Sequence, residues 1–261
     1  MKALYLENTP IAYYIDDTAN KDWIVFLHAA FVNSDMFIKQ YDYFKGKYNL
    51  LAIDILGHGK SLNAKKIDSI EKMADWINLI FIKHNISAAH FVGVSLGSVF
   101  IQDFANKYEE KVLSIACFGG YDINNFDIKR QKANSKGQMK MILKAMFSIK
   151  WFAKDNKKIS AYTEQAKEEF YKLNIQFRKK SFMYLANLGK LVNRFSSKKR
   201  SYAILIGCGE YDIPMELQIV KEWSAKENCK CAVIQGAGHC CNMDNPQEFN
   251  SVLDNFWQEL Y

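Results

Sequence analysis

The chain has 261 residues, of which 49% are hydrophobic and 24% are charged. This composition supplies enough apolar side chains for a buried core and excludes a largely disordered chain. The formal net charge is +7, but residues 121–200 hold 20 basic and 6 acidic residues, a local balance of +14. Such an asymmetry predicts that residues 121–200 form a separate structural unit.

The first residues of the chain and its cysteines indicate the cellular compartment to be expected. Residues 1–10 (MKALYLENTP) carry no apolar core of a signal peptide, and no apolar run approaches the length of a membrane span. A chain of this length does not need disulfide bonds to hold its core. We therefore expect a cytoplasmic protein whose cysteines are reduced. The six cysteines are Cys117, Cys208, Cys229, Cys231, Cys240 and Cys241.

One cluster of thiols and imidazole suggests a metal site. It consists of Cys229 and Cys231, followed by His239-Cys240-Cys241. The spacing matches no common zinc pattern, and Cys229 and Cys231 would share one face of a strand. We therefore expect neither a metal site nor a cofactor.

The first part of the chain alternates between strand-like and helix-like segments. Two short β-like runs around Pro10 predict an opening hairpin. Further apolar runs predict buried strands, and residues 68–85 and the stretch from Ser95 to about Lys107 have helical spacing. The predicted buried strands are 21–28, 49–53, the run leading into Ser95, and 112–118. The alternation predicts an α/β fold with a mainly parallel sheet and helices on both faces.

Small residues follow the predicted strand that ends at His28. Because Ala29 and Ala30 let the backbone approach a ligand closely, we expect the Ala30 N–H to be an oxyanion donor. An ordinary strand-to-helix loop is the alternative. His28 itself is expected to be structural.

A glycine-rich loop, DILGHGKS at residues 54–61, follows the next buried strand. It contains His58, for which an acid–base role and a bracing role are both open. A histidine in such a loop more often braces the turn, so we predict the bracing role.

Residues 93–97 have the pattern Gly-Val-Ser-Leu-Gly between a β-branched run and a helix-compatible run. This pattern predicts a strand, a tight turn and a helix, with Ser95 at the apex of the turn. A Cβ at Gly93 or Gly97 would collide where the strand and the helix meet. The helix start offers N–H groups to an anion, and we expect the Leu96 N–H to be the second oxyanion donor.

The alternation stops near Tyr121 and resumes after Arg200. Apolar residues at helical spacing predict helices around residues 139–147, 170–177 and 182–192. At the carboxyl edge of a sheet such an insertion would lie over the site as a lid. Its Met and Phe side chains either line an acyl pocket or join the lid to the core. Its basic charge favours an acidic substrate, an anionic lipid surface or nucleic acid, or is only a solvated surface.

Two further residues complete a possible catalytic group. Asp212 and His239 each follow a predicted strand, as Ser95 does, so all three are expected at one edge of the sheet. His239 would accept the proton of the Ser95 hydroxyl, and Asp212 would orient and stabilise the imidazole. Taken singly, Asp212 is equally a helix cap and His239 a loop brace. Their joint order favours a catalytic triad.

The chain resembles the α/β-hydrolase superfamily in five stretches: FLHAAF, DILGHGKS, GVSLG, GEYDIP and GAGHCCNMDNP. The resemblance implies an eight-stranded, mostly parallel sheet with a helical cap between the sixth and seventh strands. The core would comprise residues 1–120 and 201–261, and the cap residues 121–200. The family often has His-Gly where this chain has His28-Ala29, so Phe31 is the alternative to Ala30 as oxyanion donor.

The expected activity is that of a serine hydrolase. It would cleave a small-to-medium, hydrophobic carboxylic ester or thioester through an acyl-enzyme. A C–C bond or lactone hydrolase with the same triad, and a non-catalytic ligand-binding protein on the same fold, are the alternatives. We expect a small ester-like substrate and no nucleic acid, because no binding motif accompanies the basic charge. Docking of the basic cap on a membrane surface stays open.

Overall fold

A computed structural model describes the protein over residues 2–18, 21–62, 65, 68–127, 135–195 and 199–260, with the backbone only for 135–139. The described residues form one sheet of eight strands. The strands are β1 (Leu4–Tyr5), β2 (Ala12–Asp16), β3 (Trp23–Leu27), β4 (Asn49–Ile53), β5 (Ala89–Val94), β6 (Val112–Phe118), β7 (Ala203–Gly209) and β8 (Cys231–Ile234).

The strand order across the sheet is β1-β2-β4-β3-β5-β6-β7-β8. The pairs β1–β2 and β2–β4 are antiparallel, and every later pair is parallel. The predicted hairpin and the mainly parallel sheet are thereby confirmed. Because β5 lies at the centre of the parallel part, the turn that follows it opens at the middle of the carboxyl edge.

Ten helices occur in the described part of the chain. They are α1 (Ile38–Phe44), α2 (Met73–Lys83), α3 (Leu96–Lys107), α4 (Ser135–Phe147), α5 (Ile149–Ser160), α6 (Glu164–Asn174), α7 (Phe182–Leu185), α8 (Pro214–Glu227), α9 (Cys241–Asp244) and α10 (Pro246–Gln258). Asn245 caps α10 by accepting from the Glu248 N–H.

Helices cover both faces of the sheet. On β3, Val25 and Leu27 belong to an apolar cluster that includes side chains of α2, α3 and α8. The alternate residues Ile24 and Phe26 belong to a second cluster, with side chains of α1 and α10. Since successive side chains of a strand point to opposite faces, a continuous apolar run such as β3 is buried on both.

The chain between β6 and β7, residues 121–200, is called the inserted segment below. Its described part contains α4 to α7 and no strand. The single helix predicted over 182–192 is wrong: α7 ends at Leu185, and a separate 3-10 turn spans Leu188–Lys190. The Asn187-Leu188-Gly189 sequence explains the break, because Asn and Gly are poor helix formers.

Helix α5 has no counterpart among the predicted helices. Its buried residues are Phe152, Ala153, Asn156 and Ser160. Two of these four are polar, so the buried face of α5 is not marked by apolar residues alone. Asn156 pairs instead with Asn174 of α6 through a side-chain hydrogen bond of 2.9 Å.

All six cysteines lie in the described part of the chain, and all are free. Cys231 is exposed, Cys229 is partly buried, and the other four are buried. Among the described residues, none of the helices combines the length and apolar character that a bilayer crossing requires.

Candidate active site

Ser95 lies between the end of β5 and the start of α3, at φ 53° and ψ −112°. A positive φ is unfavourable for a residue with a Cβ, and such strained positions cluster at functional sites. The Ser95 N–H donates to the carbonyl oxygen of Phe118, the last residue of β6, at 2.7 Å. The turn is therefore fixed to the neighbouring strand while Ser95 remains partly accessible.

The two glycines beside Ser95 leave no room for a side chain. A Cβ on Gly97 would collide with the carbonyl oxygen of Leu27, the last residue of β3. A Cβ on Gly93 would lie 2.6 Å from the carbonyl carbon of Gly97. The prediction that both positions require glycine is confirmed, and the contact brings the start of α3 against the end of β3.

This close approach places both predicted oxyanion donors in one region. Leu96 is the first residue of α3, so its N–H has no partner within the helix. The loop with Ala30 begins where β3 ends, next to Gly97. Within the described residues, the Ala30 N–H has no hydrogen-bond partner.

The residue after Ala30 is in a strained conformation. Phe31 has a φ of 69°, which is rare for a bulky side chain. Its carbonyl oxygen accepts from the side-chain amide of Asn174 at 3.1 Å. The inserted segment therefore holds the loop that carries Ala30 and Phe31.

His239 and Asp212 are in direct contact. The Nδ1 atom of His239 lies 3.0 Å from Oδ1 and 3.2 Å from Oδ2 of Asp212. Asp212 is buried and also accepts from the Ile213 N–H at 2.7 Å. With Nδ1–H donating to the carboxylate, Nε2 is the ring nitrogen left to act as a base.

The turn after β6 connects this pair to Ser95. Gly119 follows Phe118, the residue that accepts from the Ser95 N–H. A Cβ on Gly119 would lie 3.0 Å from Cε1 of His239, and Gly119 has a φ of 58°. The backbone of Ser95 and the ring of His239 thus contact two consecutive residues of one turn. Asp212, His239 and Ser95 therefore gather at the carboxyl edge of the sheet.

The electrostatics of the pair favour a protonated imidazole. Burial of the His239 ring opposes protonation. The Asp212 carboxylate, by its charge and hydrogen bond, and to a lesser degree Glu216, outweigh burial and raise the pKa of His239 to about 9. Asp212 is thus placed to stabilise the imidazolium that forms when His239 accepts a proton during catalysis.

His28 and His58 lie buried side by side beneath the loops that follow β3 and β4. His28 Nε2 accepts from the Ile55 N–H at 2.9 Å, and Nδ1 donates to the Ala29 carbonyl at 2.7 Å. Burial lowers the pKa of His28 to about 4 and that of His58 to about 3. The two rings are 5.2 Å apart between centroids. Both are therefore neutral braces beneath the loops that follow β3 and β4.

Aromatic residues of the inserted segment surround Phe31. The ring centroids of Phe152, Phe177 and Phe182 lie 5.0, 5.2 and 5.6 Å from that of Phe31. Phe152 and Phe177 are buried. Of the two roles open for these side chains, the contacts favour joining the inserted segment to the core.

Asp244 connects the inserted segment to the His239 loop, and no sequence pattern had singled it out. Its carboxylate accepts from the N–H groups of Gly238 (2.9 Å), Tyr162 (3.0 Å) and Thr163 (2.7 Å) and from the Thr163 hydroxyl (2.8 Å). Its position in the GAGHCCNMDNP stretch was visible, but Tyr162 and Thr163 lie about 80 residues away in sequence.

Two more contacts reinforce this connection. The Cys240 N–H donates to the Ser160 carbonyl at 2.7 Å. The rings of Tyr162 and Tyr211 are stacked, 4.0 Å apart and 9° from parallel. Residues 160–163 thus contact the neighbours of both Asp212 and His239.

A family model described as alpha/beta hydrolase fold matches residues 22–246. The match covers most of the chain, and the protein therefore belongs to the alpha/beta hydrolase fold family. The class that this fold and family define is a hydrolase.

Particular relatives agree with the family. The chain is 21% identical over 260 residues to (E)-2-((N-methylformamido)methylene)succinate hydrolase of Acinetobacter baylyi, covering 97% of this chain and 96% of that protein. It is 21% identical over 247 residues to carboxylesterase YbfK of Bacillus subtilis, covering 89% and 79%.

Solved structures share the architecture. A thermophilic esterase from Thermogutta terrifontis superposes with a TM-score of 0.83 at 14% identity, covering 99% of this chain and 98% of that one. The enol-lactonase from Burkholderia xenovorans superposes with a TM-score of 0.79 at 15% identity, covering 98% and 100%. At these identities the likeness concerns the fold.

Proposed function

We propose that the protein is a serine hydrolase that cleaves a carboxylic ester or thioester through an acyl-enzyme. The observation that carries the proposal is the His239–Asp212 hydrogen bond at the turn that also holds the Ser95 backbone. A strained serine, a histidine and a buried carboxylate at one sheet edge are the parts that acyl transfer requires.

In the first half-reaction, the Ser95 hydroxyl oxygen attacks the carbonyl carbon of the substrate while His239 Nε2 takes the hydroxyl proton. The imidazolium is stabilised by Asp212. The carbonyl oxygen becomes an oxyanion, which the N–H groups of Leu96 and of Ala30 or Phe31 would stabilise. Each such donor typically contributes about 2.7–4 kcal/mol.

Collapse of this intermediate breaks the bond to the leaving alkoxide or thiolate, which receives the proton from His239. The acyl group is then bound to Ser95. In the second half-reaction, His239 takes a proton from water as the water oxygen attacks the acyl carbon. The carboxylic acid leaves, and the Ser95 hydroxyl regains its proton.

We further infer that residues 121–200 act as a cap over this site. Support comes from the contacts of residues 160–163 with the His239 loop and of Phe152 with Phe31. The aromatic side chains that join the segment to Phe31 also make the surroundings of the oxyanion loop apolar, which suits a hydrophobic acyl group of modest size. The basic charge of the segment favours a substrate that also carries an anionic group.

A substrate panel tests the proposal. The wild-type protein is assayed with p-nitrophenyl esters of increasing acyl length, an acyl thioester, an enol-lactone and a β-diketone. Turnover of esters or thioesters that disappears in Ser95→Ala is the expected result. Turnover limited to the lactone or the diketone would assign the alternative hydrolase on the same triad. Ester turnover that survives in Ser95→Ala would contradict the proposed nucleophile.

A further inference from the structure

The outer side of the inserted segment exposes large apolar side chains. Leu143, Met146 and Phe147 occur at spacings of three and four on α4, so they share one face of the helix. Phe147 is 85% exposed, and Leu143 and Met146 are more than half exposed. Trp151 of α5 is also exposed and lies beside α4, because Lys144 of α4 sits 5.3 Å from the centre of its ring. These four residues are called the outer apolar patch.

The charged side chains around the outer apolar patch are basic. Lys140, Lys150 and Lys154 are exposed and, within the described residues, form no ion pair. Lys179 donates to the carbonyl oxygens of Met146 and Phe147, which places its ammonium group at the carboxyl end of α4.

The acidic residues of α5 and α6 are already paired. On α5, Asp155 binds Lys144. On α6, Glu168 binds Lys157, Glu164 binds Lys167 at 2.8 Å, and Glu169 binds Lys39 at 2.9 Å. These pairs neutralise the carboxylates within the segment. The excess charge that surrounds the outer apolar patch is therefore positive.

The outer apolar patch lies across one helix from the candidate active site. Trp151 is exposed, whereas its neighbour Phe152 is buried against Phe31 of the oxyanion loop. An α-helix is about 10 Å across. A surface bound to the outer apolar patch would therefore adjoin the cap rather than the far side of the core.

We propose that the outer apolar patch and its lysines dock on a membrane surface that contains anionic lipids. Exposed apolar side chains of this size mark interaction sites. A helix face with Leu, Phe and Trp beside lysines is suited to the boundary between acyl chains and anionic headgroups. A symmetric contact with a second copy would instead bring two basic segments together, and like charges repel.

Vesicle co-sedimentation tests the proposal. The full-length protein is mixed with vesicles of phosphatidylcholine or of phosphatidylcholine with phosphatidylglycerol, at low and at high salt. We expect binding to the anionic vesicles that is at least tenfold stronger than to the neutral ones and that weakens as salt screens the charges. Equal binding to both vesicle types, or binding to neither, would overturn the proposal.

Matched variants separate the two contributions. Leu143→Ser with Phe147→Ser should reduce binding at least tenfold, whereas Ile82→Ser, an exposed apolar residue on α2, should leave it unchanged. Lys150→Glu with Lys154→Glu should reduce binding and its salt dependence, whereas Lys83→Glu on α2 should not. Equal losses in the α2 controls would show that the outer apolar patch is not the docking surface.

Trp151 provides a direct reporter. It is the exposed tryptophan among the five of the chain, so brominated anionic lipids should quench its emission, and Trp151→Phe should remove the quenched component. Sedimentation velocity without lipid should show a monomer. A dimer that Leu143→Ser with Phe147→Ser dissociates would assign the patch to self-association and overturn the proposal. Ser95→Ala should bind vesicles as the wild type does, which keeps this test independent of the proposed catalysis.

Discussion

The carboxyl edge of the sheet and the inserted segment differ in how much free space surrounds their residues. At the sheet edge, the Ser95 N–H is bound to the last residue of β6. Gly97 lies so close to the last residue of β3 that it has no room for a Cβ. In the inserted segment, Phe147 and Trp151 extend into solvent, and Gly189 has nothing within 4 Å of where a Cβ would lie. The difference separates a region in which an added Cβ would collide from one in which side chains are exposed, and our two proposals place catalysis in the first and surface contacts in the second.

The largest expected effect comes from the proposed base. His239→Ala should lower kcat by about 10⁴- to 10⁶-fold, because the serine proton loses its acceptor. His58→Gln should leave kcat nearly unchanged, since His58 is expected only to brace its loop. Steady-state kinetics with the best ester of the panel measures both. A comparable loss of kcat in folded His58→Gln would contradict the assignment of His239 as the base.

A second comparison concerns the two glycines. Gly97→Ala should lower the free energy of unfolding by about 3 kcal/mol or more and remove activity, because its Cβ collides with the Leu27 carbonyl. Gly189→Ala should change that free energy by no more than about 0.5 kcal/mol. Urea denaturation measures the difference. Equal stabilities of the two variants would contradict the contrast between edge and segment.

The connection between the two regions predicts an intermediate effect. In Asp244→Asn an amide nitrogen replaces one carboxylate oxygen and faces N–H donors of Gly238 or Thr163. The His239 loop should shift, and kcat should fall about 10- to 100-fold with a smaller change in KM. Asp254→Asn on α10 is the control. A lower melting temperature with unchanged kcat would limit Asp244 to a structural role.

The smallest expected change is a displacement of the pH profile. The neutral form of His239 is the base, and its pKa is raised to about 9, so kcat/KM should rise with pH through neutrality, reach half of its maximum near pH 9 and level off only above that pH. Asp212→Asn should shift the residual profile to lower pH, because the charge that raises the pKa of His239 is gone while burial of the ring remains. A residual profile that keeps its wild-type midpoint would show that Asp212 does not set this pKa.

Much of the sheet edge was predictable because its signals are local. Apolar runs mark β3, β4 and β6 close to their observed bounds, and the pattern around Ser95 specifies a turn that only glycines can flank. Asp212 and His239 follow strands, and parallel strands end at a common edge. The order of the elements alone therefore predicts that Asp212 and His239 lie close together. No information on packing is needed for this prediction.

The inserted segment was less predictable because its contacts are distant in sequence. Helix α5 turns Asn156 and Ser160 inward, and Asn156 bonds to Asn174 of α6, so its buried face was not recognisable from apolar residues alone. Asp244 gains its role only when residues 162 and 163 arrive from another part of the chain. The positive φ of Phe31, next to Ala30, is a backbone strain that side-chain identities do not encode.

The most direct test of the account is covalent labelling of the nucleophile. A fluorophosphonate probe is incubated with wild type, Ser95→Ala and the neighbouring Ser98→Ala, and the adduct is located by peptide mass spectrometry. We predict one adduct on Ser95 in the wild type and in Ser98→Ala, and none in folded Ser95→Ala. An adduct on another residue, or labelling that persists in Ser95→Ala, would contradict the central claim.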